Sequence, residues 1–165
     1  MKATDSSTPF WLGILALAQQ AVRDPLTGLY NRRYFDQTLT DHIEIATRYN
    51  RSLSVVLIDL DDFKQINDKL GHDAGDIALC RFSALLRANA RKADIVCRYG
   101  GDEFALLLPE TNKENALRIV KRLKKIVPAD LPSFTAGVAA LPSQDLITEA
   151  DTALLQQKLL QLKPE

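Results

Sequence analysis

Three carboxylates stand where a folded sheet would bring them together. Asp59 directly follows the apolar run Leu53–Ile58, and Asp102 and Glu103 directly follow a pair of glycines. Clustered carboxylates repel one another unless a cation lies between them, and a hard divalent ion such as Mg²⁺ suits them when substrate phosphates complete its shell. Two such ions can activate a 3′-hydroxyl and neutralise a triphosphate during in-line displacement. The alternative is that each acid is a solvated turn residue.

Groups suited to binding phosphates and a base come after the same apolar run. Backbone N–H groups of the segment Asp61–Lys64 are available there, and Lys64 adds positive charge, which a polyphosphate requires. Asn67 and Asp76 are candidates for reading the hydrogen-bonding edge of guanine. From the residues alone, the competing interpretation is favoured for both: Asn and Asp beside glycines usually stabilise turns and helix starts.

Apolar spacing and turn signals predict the elements that would position these residues. The first half of the chain is predicted to contain a helix to about Tyr49, a buried strand over 53–58 and a helix from about 76 to 90. Strands follow over 95–99 and 104–108, and then a helix opened by a capping box of Thr111 and Glu114. A strand over 133–139 and a helix over 148–161 complete the predicted order. The pair Gly100-Gly101 tolerates the positive φ of a tight hairpin. This order predicts the α+β class, with a mainly antiparallel sheet and helices on one face.

Composition limits the classes of function. The 165 residues suit one domain. Basic and acidic side chains balance at 21 each, so no net positive field attracts nucleic acid. Two cysteines without a Cys-x-x-Cys pair, together with two histidines, argue against a disulfide framework and against a zinc site. This use of cysteine favours a cytoplasmic location.

Residues 10–18 form an apolar run close to the N-terminus. The run has about half of the roughly 20 residues that a membrane-spanning helix needs. A signal peptide is the alternative, because Ala16-Leu17-Ala18 resembles a cleavage site, but the preceding residues are not clearly basic. We interpret residues 1–23 as a linker helix that serves dimerisation or attachment to a sensor, followed by a domain over 24–165.

Four ordered blocks resemble the GGDEF domain family of diguanylate cyclases. They are residues 24–33 (Asp-Pro-Leu-Thr-Gly-Leu-Tyr-Asn-Arg-Arg), 59–68 (Asp-Leu-Asp-Asp-Phe-Lys-Gln-Ile-Asn-Asp), 71–76 (Gly-His-Asp-Ala-Gly-Asp) and 98–104 (Arg-Tyr-Gly-Gly-Asp-Glu-Phe). The blocks span about half of the chain. The resemblance implies condensation of two GTP into cyclic di-GMP with release of two pyrophosphates. It also implies a fold like the palm of nucleotidyl cyclases and polymerases, with a ferredoxin-like core flanked by helices.

The resemblance implies a role for each matching residue. Asp59, the Leu60 carbonyl and Asp102 would bind Mg²⁺ or Mn²⁺. Glu103 would assist metal binding or deprotonate the 3′-hydroxyl. The remaining substrate-binding set in the resemblance consists of Asp62, Phe63, Lys64, Asn67, His72, Asp76, Gly100, Gly101 and Lys158.

Within that set, the main chain of 62–64 and Lys158 would hold phosphates, while Asn67 and Asp76 would recognise guanine with His72 close by. Family members with a small residue at the position of Asp76 accept adenine, so the acid here favours GTP.

Two further properties follow from the family's chemistry. Each 3′-hydroxyl must attack the α-phosphate of the other nucleotide, so two domains must face each other, which implies a homodimer. Arg91 and Asp94 match the family's RxxD inhibitory motif, and Arg122 stands where a secondary arginine is common. They imply inhibition by the product; the alternative is an ordinary Arg–Asp pair in a loop at a helix end.

The C-terminal third departs from the family pattern. The segment before the strand at 135–138 is short, and Leu162 stands where the family has an arginine, although Lys158 is kept. Loss of one cationic phosphate contact costs on the order of 1–3 kcal/mol of binding. This departure raises the alternative of a weak or inactive domain that acts as a GTP or cyclic di-GMP binding module.

Overall fold

The computed structural model describes residues 21–161, so nearly all of the predicted linker lies outside the described residues. Five strands and five helices follow one another in the described part. They are β1 (Tyr30–Asn31), α1 (Arg32–Arg48), β2 (Leu53–Leu60), α2 (Phe63–Leu70), α3 (His72–Asn89), β3 (Ile95–Arg98), β4 (Glu103–Pro109), α4 (Lys113–Ile126), β5 (Phe134–Ala140) and α5 (Leu146–Gln161). Every helix in 21–161 is too short or too polar to cross a bilayer.

The five strands form one sheet in the order β1-β3-β4-β2-β5. Strand β2 lies between β4 and β5 and is antiparallel to both, and β3 and β4 form an antiparallel hairpin. Only β1 is parallel to its neighbour, β3. The α+β class and the mainly antiparallel sheet are therefore confirmed, whereas the two-residue strand β1 is too short for apolar alternation to reveal it.

Helices cover both faces of the sheet, so the expectation of helices on one face was wrong. Val56 and Ile58 of β2 face a core built with α3 and α4, while Val55 and Leu57 face a second core built with α1 and α5. All four side chains are buried. Successive residues of a strand point to opposite faces, so a strand that is apolar throughout requires cover on both sides.

Two helix starts differ from the expectation. The segment before Asp76 is already helical, because α2 and α3 fill 63–89 and are separated only by Gly71, whose φ is +88°. Helix α4 is capped by Asn112, which accepts a hydrogen bond from the Asn115 amide, and not by Thr111. Thr111 is buried, and its hydroxyl donates to the Pro109 carbonyl, so it is unavailable as a cap.

Candidate active site

The sheet register brings two of the predicted acids together. Asp59, near the end of β2, is the direct partner of Glu103 at the start of β4. Both belong to the face covered by α1 and α5, because they alternate with Ile58 and Phe104 of the opposite core. The third predicted acid, Asp102, lies at the same edge, because its carbonyl accepts a hydrogen bond from the Leu60 amide at 3.2 Å. Like charges directly opposite each other are unfavourable, so this edge suits a cation.

A lysine supplies positive charge at this edge. Lys158 of α5 has its Nζ 2.7 Å from Asp59 Oδ2, and the Asp59 side chain is only 15% exposed. Helix α5 approaches closely because Gly137 of β5 has no side chain: a Cβ there would overlap the helix backbone, with Leu154 Cα at 2.9 Å. Among the described residues, no group of three or more His, Cys, Asp or Glu side chains is arranged so that it could hold a metal ion by itself. A bound ion would therefore draw part of its oxygen shell from substrate, as Mg²⁺ commonly does.

The glycine pair serves close approach and not an unusual backbone angle. Positive φ among the described glycines occurs only at Gly28 and Gly71, so the expected role of positive φ at Gly100-Gly101 was wrong. At Gly100, a Cβ would overlap the Glu103 carboxylate and come within 3.2 Å of Glu103 Cβ and Cδ. At Gly101, a Cβ would have no neighbour within 4 Å. Gly100 thus leaves room for Glu103 to fold back over the turn.

An ion pair between Arg98 and Asp24, which the sequence did not predict, supports the turn at Gly100 and Gly101. Arg98 donates to the Gly101 carbonyl through Nε at 3.0 Å and Nη2 at 2.7 Å, and its Nη1 lies 3.3 Å from both carboxylate oxygens of Asp24. Asp24 also accepts from the amide and hydroxyl of Thr27. Burial favours a higher pKa for Asp24, but the hydrogen bonds from Thr27 and the Arg98 charge outweigh it, and the pKa is lowered. The turn at residues 24–28 is thereby tied to the turn that carries Asp102.

The predicted phosphate segment follows β2 and opens α2. Asp62 adopts the left-handed conformation (φ 54°, ψ 22°), which is uncommon for a residue other than glycine. No side chain caps the start of α2, so its first amides have no such partner in the described part of the chain. Lys64 is exposed. The preceding Asp61 is held by the hydroxyls of Thr135 at 2.6 Å and Ser133 at 2.8 Å, contacts that local sequence patterns do not predict.

The residues predicted to read guanine meet where α2 and α3 cross. Asn67 Oδ1 lies against Gly75, where a Cβ would overlap it. Asp76 and His72 are exposed on α3, one helical turn apart. Neither Asn67 nor Asp76 uses its side chain in a hydrogen bond within 21–161, so neither acts as a turn or helix cap there. The capping interpretation therefore finds no hydrogen bond to support it in 21–161, and recognition of guanine by these residues stays a prediction.

The predicted inhibitory residues lie around the end of α3, and strand β3 separates this loop from the glycine pair that precedes Asp102. Asp94 accepts from the Arg91 amide at 2.7 Å, which closes a short turn and leaves the exposed Arg91 side chain available. Arg122 of α4 donates to the Asn89 carbonyl at 3.1 Å. The three predicted residues therefore border one loop.

A cleft of about 300 Å³ opens beside Glu103 between α1 and α5. Arg32 and Asp151 line it together with Tyr99, and the Arg32 guanidinium stacks 4.4 Å from the Tyr99 ring centre. Burial raises the pKa of Tyr99. The volume is at the lower end for small-molecule sites.

Known proteins resemble this chain in sequence. The chain is 47% identical over 104 residues to the response regulator PleD of Caulobacter vibrioides, which covers 63% of this chain and 23% of PleD. It is 36% identical over 155 residues to the probable diguanylate cyclase DgcC of Escherichia coli, covering 86% of this chain and 42% of DgcC. The chain thus spans less than half the length of these two relatives.

A solved structure and a protein-family model also match this chain. The GGDEF domain of PA1120 (TpbB or YfiN) from Pseudomonas aeruginosa matches with a TM-score of 0.78 and 37% identity, over 84% of this chain and 89% of that one. The model of the family described as diguanylate cyclase, GGDEF domain, matches residues 21–161. This chain belongs to the GGDEF domain family.

Proposed function

We propose that this domain is a diguanylate cyclase that condenses two GTP into cyclic di-GMP and releases two pyrophosphates. The observation that carries the proposal is the pairing of Asp59 with Glu103 across β2 and β4, beside the uncapped start of α2. Acidic residues for metal and proton transfer then adjoin backbone donors for phosphate. Relatives named as diguanylate cyclases support the same activity.

The oxygen donors at this edge fit a hard divalent cation, Mg²⁺ or Mn²⁺. Asp59, Asp102 and the Leu60 carbonyl would hold it, and Lys158 would release Asp59 in exchange for phosphate. The ion, when bound, supplies positive charge that neutralises the triphosphate and favours ionisation of the attacking hydroxyl.

The remaining steps belong to the chain's own residues. Amides of 62–64 and the charges of Lys64 and Lys158 bind phosphates, while Asn67 and Asp76 hold the guanine edge. Glu103 accepts the proton of the 3′-hydroxyl as that oxygen attacks the α-phosphate of the partner nucleotide. Pyrophosphate leaves as the new phosphodiester forms.

Each domain binds one GTP in this proposal, so catalysis requires two copies related by two-fold symmetry. Product binding at Arg91, Asp94 and Arg122 would then limit synthesis, because an arginine and a carboxylate together match the phosphates and guanine edge of cyclic di-GMP.

One observation favours a second candidate, a module that binds GTP or cyclic di-GMP without turnover. The Nζ of Lys158 forms an ion pair with Asp59 Oδ2 at 2.7 Å, and this ammonium group would compete with a metal ion for the carboxylate. The sequence also carries Leu162 where the family has an arginine.

Turnover and binding measured on one preparation separate the two candidates. Purified protein is incubated with GTP and Mg²⁺ at high concentration, products are resolved by chromatography, and nucleotide affinity is measured by calorimetry. Cyclic di-GMP with released pyrophosphate, and ATP left unchanged, supports the cyclase. Tight nucleotide binding with no product under these conditions supports the binding module and rejects the cyclase.

A further inference from the structure

A groove runs along the outer edge of β5, between α4 and α5. It has a volume of about 460 Å³, and we call it the edge groove. Ala136 and Val138 of β5 form its floor, Leu117 of α4 lines one wall, and Gln156 and Gln157 of α5 line the other. The two helices pack on opposite faces of the sheet, so the groove opens at the side of the sheet.

The floor of the edge groove is an unpaired strand edge. In residues 21–161, β5 pairs with β2 on one side and with no strand on the other. Every second residue of an edge strand directs its N–H and C=O outward. Such an edge is a template for another extended chain, and the seven residues of β5 provide one of ordinary strand length.

The edge groove is also strongly basic. Four lysines line it, and no acidic residue does; they are Lys113, Lys121, Lys124 and Lys125. None of them lies within ion-pair distance of an acid in the described part of the chain. Helix α4 carries six cations and the single acid Glu114, which already pairs with Arg118. The chain as a whole has no net charge, so this is a local excess.

We propose that the edge groove docks an extended acidic segment of a partner protein, which adds to β5 as a sixth strand. Backbone pairing along β5 would supply affinity, and alternate side chains would supply specificity. Acidic groups on one side of the added strand would meet the lysines of α4, and the alternate side chains would lie along Gln156 and Gln157 of α5. A nucleic acid fits less well, since no aromatic residue for base stacking is among the described residues of the groove.

The first experiment separates strand addition from simple charge attraction. The probe is a fluorescein-labelled eight-residue peptide in which aspartate or glutamate alternates with valine. A matched peptide replaces two valines with prolines, which keeps the charge but removes two amide donors. We expect the first peptide to bind at least about tenfold more tightly than the second. We also expect it to slow hydrogen exchange of the outward amides of β5.

The second experiment locates the site with charge reversals in the full chain. Lys121→Glu combined with Lys124→Glu should weaken binding of the acidic peptide by about tenfold or more. The control, Arg33→Glu combined with Arg48→Glu, makes the same charge change on exposed positions of α1 and should leave binding unchanged. Circular dichroism checks that both variants remain folded.

Three results would overturn the proposal. The first is equal binding of the alternating and proline peptides, which would mean that charge attraction alone accounts for the affinity. The second is displacement of the peptide by single-stranded oligothymidylate that binds more tightly, which indicates a nucleic-acid surface. The third is the absence of peptide binding at low salt. These measurements require no turnover, so they are independent of the proposed cyclase activity.

Discussion

The position of the Glu103 carboxylate should depend on the absence of a side chain at residue 100. In Gly100→Ala, the new methyl would overlap this carboxylate, which must withdraw by about 1 Å to reach ordinary contact distance. A misplacement of about 1 Å in a catalytic group can cost on the order of 100-fold in rate, or about 2.7 kcal/mol of activation free energy. We therefore expect a fall of about that size in kcat, with little change in the KM for GTP.

The fold should tolerate this substitution. The backbone at Gly100 is outside the left-handed region, and the obstructing atoms belong to a side chain that can move. Replacing glycine by alanine also reduces the freedom of the unfolded chain, which favours folding by about 0.4–1 kcal/mol where the backbone permits it. The melting temperature of Gly100→Ala should therefore be no lower than that of the wild type.

Pyrophosphate release measured against GTP concentration, together with thermal unfolding, tests this expectation. Gly101→Ala is the matched comparison, because the same methyl meets no atom within 4 Å and leaves Glu103 in place. We expect a much smaller loss of kcat in that variant. Equal losses in both variants, or full activity in Gly100→Ala, would show that the carboxylate's position over the turn does not matter for the reaction.

Three further predictions concern the framework of the domain. Asp24→Asn should lower the free energy of unfolding by about 1–3 kcal/mol by removing a charge that Arg98 and two other donors stabilise. Because the pKa of Asp24 is lowered on folding, this difference should be complete above the ordinary pKa of 3.8 and shrink as the pH falls through the lower folded value, which urea denaturation across pH measures. Gly137→Ala should lose about 1–3 kcal/mol or more, since its methyl overlaps helix backbone that cannot move aside; an unchanged urea midpoint would contradict this. Burial raises the pKa of the Cys97 thiol to about 12, so iodoacetamide should label the half-exposed Cys80 in the native protein and Cys97 only after unfolding, as mass spectrometry would show.

The sequence predicted the parts of this fold that depend on local patterns. The apolar run before Asp59 predicted a buried strand, and the glycine pair between two apolar runs predicted the β3–β4 hairpin. Strand β5 and helix α5 begin within two residues of their expected positions. Their physical basis is side-chain periodicity and turn chemistry, which act over a few neighbouring residues.

Contacts between distant parts of the chain could not be predicted in this way. Asp24 and Arg98 are 74 residues apart, and so are Asp61 and Thr135. No periodicity links such positions, although Asp24 and Arg98 both lie in blocks shared with the family. The pairing of Lys158 with Asp59 likewise depends on how α5 packs over Gly137. The roles of the site residues in substrate and metal binding stay predictions.

Asp59 offers the most direct test of the central claim that the acids at the ends of β2 and β4 carry out GTP condensation. The measurement is pyrophosphate release from GTP and Mg²⁺ by Asp59→Asn, compared with wild type and with Asp41→Asn, an equivalent change at an exposed position of α1. Removal of one carboxylate charge from the proposed metal-binding edge should slow turnover by about 100-fold or more, while Asp41→Asn retains the wild-type rate. Turnover by Asp59→Asn within about twofold of wild type would contradict the account.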